Sequence, residues 1–331
     1  MSSDTQKPSL DCSEDVYISW INFQRRALSM QQVLGFELHF IPPPFASKWL
    51  KPLGYIWQTG LTAKHIFAKR PKRVWLQSPP TFLPHLILAM RVFRRFGVVA
   101  DTHHQAVIPP WSKLPGALSM LNRCDTVMVH NAETLEEAAR LGVDRKRLML
   151  VEDPPPANMG QAAPVDPDVQ PYVLVPCSFK SDEPIDTLLE AAADLPELQF
   201  RLTGNRARAA AQGYTDRAPQ NVIFTDFVPL EEYDRMLQEA AIVLGLTIEE
   251  GIQLSVANEA LGAGRPLVLS ETRILRAMFG DAAVFGANTR DGIAGALRFA
   301  LQNSDELAGR SHALGEKRLA EWKLGIAELQ P

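Results

Sequence analysis

IVLGLTIEEGIQLSVANEALGAGRPLVLS (residues 242–270) holds two short apolar runs on either side of a mixed one. IVLGLT reads as a buried strand whose carboxyl end is Thr247, and PLVLS (266–270) reads as another. Between them a helix-like run begins near Leu254 or Ser255, with Ser255 placed to cap it. Gly264 and Pro266 stop that run. A strand, a helix and a strand in so short a span predict a parallel unit with helices covering the sheet.

The same alternation runs along most of the chain. VYISW (16–20), ELHFI (37–41), RVWLQS (73–78), VVADTHH (98–104), TVMVHN (126–131) and LMLVED (148–153) read as strands of a first half. DPPPANMGQAAPVDPDVQP (153–171) is rich in proline and alanine and reads as a linker. The pattern then restarts with YVLVPCSF (172–179), QFRLTGN (199–205) and NVIFTDFVP (221–229). The fold expected is α/β, with two Rossmann-like domains whose parallel sheets face a central cleft. The boundaries expected are a first domain over 1–153, a linker over 154–171, a second domain over 172–308 and a C-terminal helix over 309–331. Ligands of such sheets bind at the carboxyl ends of the strands.

Composition narrows the function classes. The chain has 331 residues, 46% of them hydrophobic, enough for two cores. Three scattered cysteines fit a reducing compartment and no disulfide framework. The polar start MSSDTQKPSLDCSED does not read as a signal peptide, and no apolar run approaches a membrane span. A cytoplasmic location is expected. Residues 1–153 carry 19 Lys and Arg against 13 Asp and Glu, a balance of +6; the remainder carries 15 against 25, a balance of −10. Between Glu37 and Asp101 there is no acidic residue, ten basic ones, and Trp49, Tyr55, Trp57, Phe67 and Trp75. Basic residues among interfacial aromatics suggest an anionic membrane surface met through residues 38–100, hence a peripheral place on the inner face of the plasma membrane. Nucleic acid is the rival partner and is not expected. A solvated basic face over core aromatics is the plain alternative.

The carboxylates of the 242–270 stretch need an explanation. Glu249, Glu250 and Gly251 follow a strand tip, and Glu259 lies about one turn into the helix, roughly 6 Å from Ser255. A helix start suits a phosphate, and a glycine admits close approach of a ligand. Carboxylates suit the vicinal diols of sugars. A nucleotide sugar has a diol at each end of a diphosphate, so Glu259 is placed for the ribose, Glu250 for the transferred sugar and the helix start for the phosphates.

Thr247-Ile-Glu-Glu250-Gly251 and Glu259-Ala-Leu-Gly-Ala-Gly264-Arg-Pro266 resemble the donor motif of retaining glycosyltransferases with two Rossmann-like domains, the GT-B fold, and of glycosyltransferase family 4 in particular. The resemblance extends architecturally from VYISW to about residue 320. It implies that Glu250 and Glu259 bind the donor sugar-phosphate and the ribose. It also implies a histidine at a first-domain strand end beside the donor sugar and reaction centre, for which His103 is the nearest match and His104 the second. The catalytic set expected is therefore His103 and Glu250. The donor-binding set is Glu250, Gly251, Ser255, Glu259, Lys180 and Arg206.

This chain departs from the family pattern in three places. Eight residues separate Glu250 from Glu259, where the family has seven. The diphosphate-binding Arg and Lys at the start of the second domain are replaced by SFKSDEP (178–184), which offers only Lys180. INFQRR (21–26) replaces the glycine-rich turn after the first strand, leaving Arg206, and then Arg25 or Arg26, as further cation candidates. His130 reads as a packing or capping residue.

No zinc-ligand spacing, D-x-D strand end or P-loop occurs, so neither a metal nor another cofactor is expected beyond the nucleotide-sugar substrate. The function expected is sugar transfer, with retention, from a nucleotide sugar to a glycan or lipid-linked acceptor in polysaccharide or glycolipid biosynthesis. The alternatives are a non-catalytic nucleotide-sugar-binding protein and a nucleotide-sugar epimerase of the same architecture.

Overall fold

The computed structural model describes residues 10–45, 47–80, 82–156, 170–250 and 252–329. Gly251 and most of the expected linker, residues 157–169, lie outside the described residues. The chain divides into two compact units, Met1–Pro154 with Ala320–Pro331, and Pro155–Leu319.

In the first unit β1 (Val16–Ser19) leads to α1 (Arg25–Leu34), and β2 (Glu37–Phe40) to α2 (Lys51–Lys69). Then come β3 (Arg73–Ser78), α3 (Phe82–Met90), β4 (Gly97–Thr102), α4 (His104–Val107) and α5 (Ala117–Leu121). β5 (Thr126–Val129), α6 (Ala132–Arg140) and β6 (Leu148–Leu150) complete it. The strands form one parallel sheet in the order β2-β1-β3-β4-β5-β6.

Strand side chains alternate between two cores, as the pleat requires. Ile18, Val74, Leu76, Val98, Ala100 and Val127 enter one. Tyr17, Trp75, Val99 and Met128 enter the other, where the chain's end returns to pack Trp322, Ile326 and Leu329. Trp75 is therefore a core residue and no part of an interfacial aromatic set. Its indole N–H donates to Asp15 Oδ2 at 3.0 Å. The basic run is also less free than its sequence suggests, because Lys69, Lys72, Arg73 and Arg91 pair with Glu37, Glu14, Asp15 and Asp125.

In the second unit β7 (Tyr172–Pro176), α7 (Ile185–Ala193), β8 (Gln199–Thr203), α8 (Arg206–Ala211), α9 (Tyr214–Arg217) and β9 (Val222–Asp226) run in sequence. α10 (Leu230–Glu239), β10 (Ile242–Gly245), α11 (Ser255–Ala263), β11 (Leu267–Ser270), α12 (Arg273–Phe279), β12 (Ala283–Gly286) and α13 (Arg290–Gln302) follow. The sheet order is β12-β11-β10-β7-β8-β9, again all parallel. α14 runs Ser304–Ile326, so it begins ahead of the expected residue 309, with Asp305 and Glu306 in its first turn.

Candidate active site

In the second sheet β7 lies between β10 and β8, so the strand order reverses there. The carboxyl ends of neighbouring parallel strands diverge into their loops at such a point and leave room for a ligand. Three of the expected binding segments follow these three strands.

β10 ends at Gly245, two residues short of the expected Thr247. The backbone N–H of Thr247 donates to Ser270 Oγ at 2.9 Å, and its carbonyl accepts from Asn288 Nδ2 at 2.8 Å. These side chains replace the ladder and fix where the loop turns away. A Cβ at Gly245 would stand 3.0 Å from Leu254, Val256 and Leu269, so the glycine lets the start of α11 pack close against the strand. The N-cap of α11 is Leu254, and Ser255 is its first helical residue with an exposed side chain. The sequence-based placing of Ser255 at the cap is corrected by one position. Gly264 closes the helix in the left-handed conformation, with φ of 61°.

The two glutamates have different surroundings. Glu259 is buried on α11, and the Tyr233 hydroxyl from α10 donates to its carboxylate. Glu250 is exposed; its Oε2 accepts from the backbone N–H of Arg273 at 3.0 Å, and Arg273 Nε lies 3.6 Å from it. Glu250 thus supplies negative charge to the first turn of α12, a stabilising position for a carboxylate. Gly251, between them, lies outside the described residues.

Lys180 is exposed on the loop after β7. Glu183 folds back over that loop, accepting from the N–H of Ser178 at 2.9 Å and of Phe179 at 2.7 Å. The acidic residue beside Lys180 therefore serves the loop's own backbone. The Ile248 N–H donates to the Asp182 carbonyl at 2.7 Å and ties this loop to the one after β10. Arg206 begins α8, exposed, with its backbone N–H on Asp226 Oδ1 at 3.2 Å. Gly204 just before it has φ of +136°, and a Cβ there would meet the Cys177 carbonyl at 2.0 Å. The ends of β7 and β8 can approach this closely only with glycine.

In the first unit His103 follows β4 and caps α4 with extended backbone. Its N–H donates to the Ser78 carbonyl at 2.9 Å, which ties the tip of β4 to that of β3. Nε2 is hydrogen-bonded to the Gln24 side-chain amide. The His130 ring lies edge-on, 4.2 Å between centroids. Burial, with His130 adding to it, lowers the imidazole to about 4, so His103 is uncharged at neutral pH. His104 is exposed, and its Nδ1 lies 3.3 Å from Thr134 Oγ1.

Sequence reasoning missed the group behind His103. Arg26 is buried, with Nε 3.1 Å from Asp101 Oδ1 and Nη1 2.7 Å from Asp153 Oδ1. Tyr17 donates to Asp101 Oδ2 at 2.7 Å, and His130 Nε2 lies 3.1 Å from Oδ1. Burial alone would raise the Asp101 carboxyl, but Arg26 and the His130 hydrogen bond outweigh it and hold the group far below the usual range. Arg26 is thus committed to two carboxylates and to the Val151 and Glu152 carbonyls, which corrects its reading as a diphosphate cation. Asp101, His103 and His130 also present ligand atoms within 4.8 Å of one another, the spacing of a metal site, though Arg26 already supplies the cation that Asp101 faces. Asp101 and Asp153, each at the end of an apolar run, were the available signal.

Against known proteins, a family model described as glycosyl transferase-like matches residues 185–323, most of the second unit. HepE from Anabaena, in complex with UDP and glucose, superposes with a TM-score of 0.70 at 12% identity over 95% of this chain and 98% of that one. The chain has the GT-B fold. A second GT-B structure, sucrose-phosphate synthase from Thermosynechococcus elongatus, gives 0.68 at 14% identity over 95% and 98%. A Listeria monocytogenes protein provisionally described as a UDP-N-acetylglucosamine 2-epimerase gives 0.56 at 13% identity over 96% and 97%. No curated protein matches the sequence significantly. Among the described residues, no helix is long and apolar enough to cross a membrane.

Proposed function

We propose that this GT-B protein is a glycosyltransferase that moves a sugar, with retention, from a nucleotide sugar to a hydroxyl of a glycan or lipid-linked acceptor, in polysaccharide or glycolipid biosynthesis. The observation that carries this reading is that the glycosyl transferase-like match spans the segment in which Glu259 is buried on α11, beside the reversal of strand order at β7.

In this reading the Glu259 carboxylate accepts hydrogen bonds from the ribose hydroxyls, with Tyr233 fixing its rotamer. The N–H groups at the start of α11 face the diphosphate, and Lys180 and Arg206 are the cations on the neighbouring strand ends. The bond from the anomeric carbon to the phosphate oxygen breaks, and a bond to the acceptor oxygen forms. Charge develops on the departing diphosphate, where the helix start stabilises it. The acceptor's proton passes to the departing phosphate oxygen, so no carboxylate base is required. The family resemblance gives His103, uncharged at neutral pH, the role of hydrogen-bonding the transferred sugar. Glu250, whose Oε2 accepts from the Arg273 N–H, is the second carboxylate proposed for the transferred sugar.

HepE was solved with UDP-glucose as well as with UDP, which makes UDP-glucose the first donor to try. The test is a panel of nucleotide sugars offered with and without glycan acceptors, read as nucleoside diphosphate release and as the anomeric configuration of any product. Acceptor-dependent release is expected; binding without turnover would instead identify a non-catalytic nucleotide-sugar-binding protein. The epimerase reading draws on the Listeria superposition. It predicts an epimerised sugar with no acceptor present.

A further inference from the structure

α2 carries apolar side chains on two faces: Ile66 enters the core of the first unit, with Tyr55 and Leu61 packed against it, while a second apolar stripe lies outside. Its buried positions, four residues apart, are Gly54, Gln58, Thr62 and Ile66. Two of these are polar, and both are satisfied inside the first unit: Gln58 Nε2 donates to the Ile41 carbonyl at 2.7 Å, and Trp20 Nε1 donates to Thr62 Oγ1 at 3.0 Å. Leu53, Ile56, Trp57 and Phe67 are exposed instead. At 3.6 residues per turn these four fall within one arc of about 100°, opposite the buried positions. Trp49, in the turn that leads into the helix, is 93% exposed, and Ile56 is 69% exposed. An isolated exposed apolar side chain is ordinary, but an apolar stripe of four residues on the outer face of a helix whose inner face is already packed marks a surface for an apolar partner.

Charge selects that partner. Residues 38–100 contain no Asp or Glu. Lys64 lies on the exposed arc itself, and Lys51 and Arg70 are exposed at the two ends of the helix. Tryptophan and aliphatic residues rimmed by lysine and arginine, with no acid among them, complement a negatively charged headgroup layer over an acyl interior.

We propose that the exposed face of α2, with Trp49, is a docking surface for an anionic lipid bilayer. Trp49, Leu53, Ile56 and Trp57 enter the headgroup–acyl boundary, while Lys51, Lys64 and Arg70 meet the lipid phosphates. This surface is independent of sugar transfer, and its test does not use transfer.

The full chain is sedimented with phosphatidylcholine vesicles containing phosphatidylglycerol and with vesicles of phosphatidylcholine alone. Retention on the first, its loss in high salt, and quenching of tryptophan emission by brominated acyl chains are expected. The double variant Trp49→Ser/Ile56→Ser changes only exposed side chains and should bind at least about tenfold more weakly, with an unchanged melting temperature. The pair Lys51→Glu/Lys64→Glu should do the same. The proposal is overturned by equal retention on both vesicle types, by none on either, or by variants that bind like the wild type. A wild-type dimer that Trp49→Ser/Ile56→Ser converts to a monomer would also overturn it, because the face would then bind a second copy of this chain.

Discussion

Arg26 Nε stands 3.1 Å from Asp101 Oδ1, and both side chains are buried. The same guanidinium reaches Asp153 and two backbone carbonyls, so one cation holds the ends of β4 and β6 to the start of α1. Removing it would leave the buried Asp101 carboxylate, and the half-buried Asp153 beside it, without their guanidinium and with His130 close to both. Arg26→Met should therefore cost about 3–5 kcal/mol of stability, measured by urea unfolding. A loss below about 1 kcal/mol would show that the carboxylates find compensation elsewhere.

The depressed groups beside this pair make stability depend on pH, and the sign follows from linkage. His103 titrates near 4 in the folded chain, against about 6.5 unfolded, so the unfolded state binds more protons between those values. Its contribution is complete above about 6.5 and is lost as pH falls toward 4. Asp101 and Asp153, also depressed, lose theirs only below the ordinary carboxylate range of about 3.9. In His103→Asn the fall in melting temperature below neutral pH should be shallower than in the wild type, the remaining slope belonging to His39 and His65, which burial also depresses. A wild-type slope retained in the variant would assign that limb to another group.

The two glutamates should separate in binding. Glu259→Ala removes a buried acceptor and should weaken UDP binding by roughly tenfold to a hundredfold in titration calorimetry, the loss of about 1–3 kcal/mol. Glu250→Gln leaves the shape of the α12 cap in place and should change UDP affinity by less than about threefold, well under 1 kcal/mol. The reverse order would place Glu250 on the nucleotide and Glu259 off it.

Gly204→Ala should be among the most damaging single-methyl changes in the second unit. The added carbon would lie 2.0 Å from the Cys177 carbonyl, in a φ region that L-residues avoid. A fall in stability of more than about 2 kcal/mol is expected by thermal unfolding, since the obstacle is backbone and cannot swing aside. The neighbouring exposed change Arg206→Ala should leave stability within about 0.5 kcal/mol.

How much of this was legible in the sequence depends on where each residue's partners lie. IVLGLT and PLVLS announced a buried strand pair because their apolar runs are local, and Gly264 announced the end of α11 for the same reason. Glu259 stood out because a carboxylate inside an apolar-faced helix has few plain explanations. Arg26 was misread because Asp101 and Asp153, which decide its environment, lie 75 and 127 residues away. The basic, aromatic character of residues 38–100 was legible, but the helix α2 within it was not, because its apolar residues lie on two faces and blur the period. Prolines at 42–44 and Gly54 and Gly60 weakened the helical signal further. Glu250 could not be placed by spacing, because its partner Arg273 belongs to the next helix.

The proposed transfer depends on a nucleotide sugar held at the α11 segment. Incubating the wild type and Glu259→Ala with UDP-glucose and other nucleotide sugars, with and without glycan acceptors, and measuring nucleoside diphosphate release tests it most directly. Acceptor-dependent release by the wild type with at least one donor is expected, reduced at least about tenfold in the variant. Equal release from both proteins, or no release from any donor together with no calorimetric binding of any nucleotide, would contradict it.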